Sequence, residues 1–153
     1  MTVYVLGFIL TSNGVYLIHK KRGPSNVVNH WNGIGGKVHY MESAHDATER
    51  KALEEVGKGA MYLDWTCFGH MGFSSPDDAY AWTCWLFVTE FLETDPVPPA
   101  TTTDEEIRWF STDEDLPSMV DNAPMLMEIA RFVLANKQEG GPPSPVHVDL
   151  AYR

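Results

Sequence analysis

The chain has 153 residues, 44% hydrophobic and 21% charged, the make-up of a folded globular protein rather than a disordered one. Its formal net charge of −10 speaks against a nucleic-acid polymer as partner, because a phosphate backbone is gripped mainly by Lys and Arg. A nucleotide stays open as a ligand, since divalent cations can stand between two sets of negative charge. The length suits a single domain, 1–153, around one core. No apolar run approaches the ~20 residues that span a bilayer. Met1–Ser12 has neither a basic leader nor a small-residue cleavage site, so a cytoplasmic protein with no membrane partner is expected. The two cysteines, Cys67 and Cys84, sit in apolar, strand-like settings and read as reduced, buried thiols.

In chain order, Val3 to Leu10 and Val15 to His19 read as two strands around Asn13-Gly14, a dipeptide that favours tight hairpin turns. Arg22 to His30, with Gly23-Pro24, reads as an exposed loop. The run Trp31-Asn32-Gly33-Ile34-Gly35-Gly36 is too glycine-rich for a helix and suits close backbone approach to a ligand. Ser43 predicts a helix N-cap with Asp46 three residues on, and Ala44, Thr48, Ala52 and Val56 form a narrow inward stripe that ends at Gly57. Tyr62–Phe73 and Ala79–Glu93 read as strands around a turn at 74–78, and Ile107–Ser111 as a short strand. Asp121-Asn122 before Pro124 predicts a helix start, with Asp121 as its cap. Leu126, Ile129, Ala130 and Val133 carry that helix to about Lys137. Gly140 to Pro143 breaks it, and 138–153 is a tail or holds a final strand at Val146–Leu150.

The stretch from Gly36 to Glu42, followed by Arg50 to Gly57, places one carboxylate on a loop and two adjacent ones on a helix. That is how a small protein gathers acidic oxygens around a hard cation. At about 100° per residue, positions 51, 54 and 55 share one helix side, whereas Glu49 lies about 160° away from 51. Gly36, Glu42, Arg50, Glu54, Glu55 and Gly57 fall at the spacing of the Nudix box, and the pattern resembles that family, nearest to its oxidised purine nucleoside triphosphatases (the MutT type). The departure is Lys51, where the family carries glutamate. An ammonium there is placed to pair with Glu55 across one turn. Met41, Lys58 and His39 are smaller departures, and His39 reads as a surface residue.

The resemblance implies an α+β fold, an α/β/α sandwich around a mixed β-sheet. It implies Mg²⁺ (or Mn²⁺) held by Glu54 and Glu55 with Glu42, Gly36 and Glu105 or Glu106, Arg50 organising the loop and helix, and Lys51 weakening the site. Asn32, Gly35, Gly36, Lys37 and Arg22 would contact the nucleotide. Asp121 and Asn122 stand where the relatives read the base, but Met119-Val120 replaces their stacking tryptophan. Trp65, Trp82 and Trp85 read as core or sheet packing unless one supplies a substitute ring. The implied activity is hydrolysis of a nucleoside triphosphate, 8-oxo-dGTP or another (d)NTP, to the monophosphate and pyrophosphate, by a monomer or homodimer. A nucleoside diphosphate-sugar hydrolase and a catalytically impaired nucleotide-binding module remain alternatives.

Overall fold

The computed structural model describes residues 1–73, 82–102, 105–140 and 146–149. In chain order the elements are β1 (Thr2–Thr11), β2 (Gly14–His19), β3 (Trp31–Asn32), β4 (Ile34–Lys37), α1 (Ala44–Val56), a 3₁₀ helix (Gly57–Tyr62), β5 (Thr66–Phe73), β6 (Trp82–Glu90), β7 (Ile107–Ser111), α2 (Ala123–Gln138) and β8 (Val146–Asp149). The strands form one mixed sheet in the order β3-β2-β1-β6-β5-β8, with β4 on β1 and β7 on β2. β1 runs parallel to β6 along one edge, from Thr2↔Trp82 to Leu10↔Glu90. Its other edge is shared antiparallel by β4, from Tyr4↔Lys37 to Gly7↔Ile34, and by β2 at Ile9 to Thr11.

Strand alternation sorts the core into two layers. Leu6, Phe8 and Leu10 of β1, with Leu86 and Val88 of β6, pack under Leu126, Met127, Ala130 and Val133 of α2. Val5 and Ile9, with Ile18 and Phe87, face Ala47, Ala52 and Val56 of α1 on the opposite side. The fold is thus the expected mixed α+β class, with a helix on each face of the sheet.

α1 begins as its sequence predicts: the Ser43 hydroxyl accepts from the Asp46 N–H at 3.0 Å. It ends at Gly57, whose φ of 74° is open to glycine at little cost.

Several local expectations are corrected. Tyr62–Leu63 do not begin a strand: the chain first turns through the 3₁₀ helix, and β5 starts at Thr66. Gly59 lets that turn pack, since a Cβ there would lie 2.7 Å from the Val97 carbonyl oxygen. The glycine-rich run is two short strands flanking Gly33, with Gly33 and Gly35 packed closely on β1. A Cβ at Gly33 or Gly35 would stand 2.3 Å from Gly7 O or 2.4 Å from Val5 O. Asp121 does not cap α2; the cap position belongs to Asn122 in left-handed backbone, φ 67°. The thiols are not a buried pair: Cys84 is buried, which pushes its thiol up to about 12, while Cys67 is exposed. The expected 74–78 turn lies outside the described residues, while the C-terminal segment does form a strand, β8, parallel to β5.

Candidate active site

The loop between β4 and α1 is tied to the helix by one guanidinium. Arg50 donates from Nε to Glu42 Oε1 at 2.7 Å and from Nη2 to Glu42 Oε2 at 3.0 Å. It also reaches the Lys37 carbonyl at 3.0 Å and Glu54 Oε1 at 3.2 Å. The His39 N–H adds a bond to Glu42 Oε2 at 2.9 Å. These bonds, Arg50 first and His39 second, hold the Glu42 carboxyl down at about 2. Glu42 is therefore a spoken-for carboxylate, and Arg50 is the expected organiser.

Next along α1 comes a row of alternating charges. Lys51 Nζ lies 2.9 Å from Glu54 Oε2 and 3.4 Å from Glu55 Oε1. Lys20 Nζ lies 3.5 Å from that same Glu55 oxygen and 3.5 Å from Glu105 Oε2. Glu55 is the most enclosed, its side chain 8% exposed, and Gly35 N–H donates to its Oε2 at 3.3 Å. Burial pushes the Glu55 carboxyl up, against the opposing pull of Lys20 and Lys51. Burial also works against Glu54 ionising, but bonds from Lys51 and Arg50 outweigh it, and its carboxyl sits below the ordinary range. For Lys51, burial opposes the charged form, yet its two glutamates win and its ammonium is held charged.

Lys20 was absent from the residues singled out by spacing. Alternation along β2 does carry the information: Tyr16 and Ile18 face α1, so a side chain two further on turns the same way. Of the two downstream candidates, Glu105 reaches the row. Glu106 is exposed and gives its carbonyl to the His19 N–H at 2.8 Å. Glu49 points away as helix geometry requires, forming an exposed group with His45 and Asp46.

The residues expected to meet a nucleotide lie on β3, the end of β4, the loop after β2 and the segment before α2. β3 carries Asn32, whose side-chain oxygen accepts from Gly33 N–H at 2.8 Å. Trp31 bonds to the segment before α2, its N–H to Ser118 O and its carbonyl from Val120 N–H, both at 2.9 Å. This bridge brings Asp121 and Asn122 alongside β3. Lys37 and Arg22 are exposed. Of the three tryptophans read as packing, Trp65 is buried and Trp82 sits edge-on to Tyr4 at 6.2 Å. Trp85 stays 39% exposed, tilted against His70 at 4.7 Å.

Residues 1–128 match the family described as NUDIX domain. A curated relative, "Oxidized purine nucleoside triphosphate hydrolase" from Mus musculus, is 33% identical over 117 residues, covering 73% of this chain and 67% of its own length. Among solved structures, the MutT NUDIX hydrolase from Burkholderia pseudomallei superposes with a TM-score of 0.65 at 20% identity, covering 83% of this chain and 95% of that one. The NUDIX domain of Shewanella oneidensis NrtR, complexed with ADP ribose, gives 0.64 at 18% identity over 86% and 87%. The protein is a hydrolase of phosphoric anhydrides. It belongs to the Nudix family.

Nudix enzymes generally use divalent metals, and the row offers carboxylate oxygens of the type a hard cation takes. Glu54, Glu55 and Glu105 are carboxylates linked through shared ammonium groups, all-oxygen donors of the kind Mg²⁺ and Mn²⁺ take. Two lysines already lie among these oxygens. No helix among the described residues is long and apolar enough to cross a membrane.

Proposed function

We propose that this chain is a Mg²⁺- or Mn²⁺-dependent pyrophosphohydrolase of the cytoplasm that converts a nucleoside triphosphate to the monophosphate and pyrophosphate. The observation that carries it is the Arg50 fork, which locks the Glu42 loop onto the helix bearing Glu54 and Glu55. Glu54 and Glu55, with Glu105, would hold the cation. When bound, the ion would polarise the phosphoryl group and activate water. Arg50 keeps the loop from moving away from the helix. Lys37 and Arg22 would meet phosphate oxygens, and Asn32, Asp121 and Asn122 the base. The mouse relative's name favours an oxidised purine such as 8-oxo-dGTP. With Met119-Val120 supplying no ring to stack on the base, a broader (d)NTP range is expected than a tryptophan would permit.

The test is pyrophosphate release from a (d)NTP panel including 8-oxo-dGTP, with each ion. Turnover that depends on the ion supports the reading; silence across the panel overturns it. One second reading has its own observation. The Lys51 ammonium between Glu54 and Glu55 favours a domain that binds nucleotide with little turnover. Nucleotide binding without release would select it.

A further inference from the structure

We infer that Lys51 and Lys20 are tethered counter-cations that hold the carboxylate row together on their own and restrict it to a single divalent ion. The inference rests on the proposed reading of this site and extends it. The side chains alternate in sign: Glu54, Lys51, Glu55, Lys20, Glu105, with successive separations of 2.9, 3.4, 3.5 and 3.5 Å. Three carboxylates against two ammonium groups leave one negative charge, and Arg50 and Glu42 cancel each other beside them. One divalent ion reverses the sign of that row. A second would enter a site already positive, at separations where like charges repel strongly.

Neither lysine is a loose surface chain. Their side chains are 20% and 12% exposed. The Lys51 stem lies over Gly36, where an added Cβ would be 2.8 Å from Cε. Both ammonium groups converge on Glu55 Oε1, while its Oε2 takes the Gly35 N–H. An ion reaching Glu55 must displace one of them or face both.

The test counts bound Mn²⁺ on the full chain without nucleotide, by calorimetry and by the loss of free-ion paramagnetic resonance. One ion per chain is expected. Lys51→Gln should bind Mn²⁺ at least tenfold more tightly, and Lys51→Arg should not. In chelator, Lys51→Gln should melt below the unmodified protein, and Mg²⁺ should raise its melting temperature more. Two or more ions on the unmodified chain, or equal affinity in Lys51→Gln, overturns the inference, as does binding of no ion by either. Pyrophosphate release measured in parallel separates the two readings. Turnover with two ions sinks only the counter-cation role, and one ion without turnover sinks only the hydrolase.

Discussion

Arg50 and Glu42, eight positions apart, meet as a two-pronged pair, Nε to Oε1 at 2.7 Å and Nη2 to Oε2 at 3.0 Å. A guanidinium offers two parallel donors in a fixed fork, which an ammonium does not. Arg50→Lys should therefore keep the charge and lose the alignment. Turnover is expected to fall on the order of 10- to 100-fold, as for a misplaced positioning group, with the melting temperature down by only a few degrees. Steady-state rates beside a thermal melt check this; equal activity in Arg50→Lys would remove Arg50 from the organising role.

The same pair sets a pH window. Glu42 titrates at about 2 in the fold against an ordinary value of 4.5. A carboxyl depressed in this way contributes stability that is present above about 4.5 and is lost as pH falls toward about 2. Urea midpoints followed from pH 6 to pH 3 should fall less steeply in Arg50→Gln than in the unmodified chain. Parallel slopes would show that Glu42 is not held by Arg50 in solution.

Lys20 touches both Glu55 and Glu105 at 3.5 Å, and Glu55 is almost enclosed. Lys20→Met leaves the buried carboxylate with one ammonium in place of two. A loss of about 1–3 kcal/mol is expected, the range for a buried polar group deprived of a partner. Denaturant unfolding at pH 7 reads it, and Lys21→Met, at an exposed neighbour, should change little.

Gly33 and Gly35 face β1 so closely that their Cβ atoms would stand against backbone oxygens at 2.3 and 2.4 Å. Backbone in a ladder cannot yield as a side chain can. Gly33→Ala should cost several kcal/mol, or prevent soluble expression, as overpacking against fixed groups does. Gly72→Ala, where nothing lies within 4 Å, is the control expected to fold normally.

What could be read without coordinates was whatever is specified locally. The β1–β2 hairpin, although it turns on Ser12-Asn13 one residue before the expected Asn13-Gly14, the Ser43 cap and the small stripe of α1 all follow from residues within one turn or one strand. The carboxylates of α1 came with them, because helix geometry places 51, 54 and 55 on one side. β3 and β4 escaped because glycine has no strand preference; they become strands only by lying on β2 and β1. Cys67 was read as buried on hydropathy, but the register of β5 shifts between Cys67 and Gly69. Phe68 takes the core position and the thiol is left outside. Asp121 lost the cap to Asn122, which turns left-handed two residues after Val120 pairs with Trp31. The Lys20–Glu105 contact joins positions far apart in the chain, and nothing local records it.

Gly36 and Lys51 are linked sterically. The lysine stem occupies the space a side chain at 36 would need, with Cε and Cδ at 2.8 and 3.0 Å from the place of a Cβ. Unlike the backbone oxygens that face Gly33 and Gly35, this neighbour is the end of a flexible side chain and can move. A side chain at 36 would push the end of Lys51 aside, so the bare glycine is what leaves room for the ammonium to rest between Glu54 and Glu55.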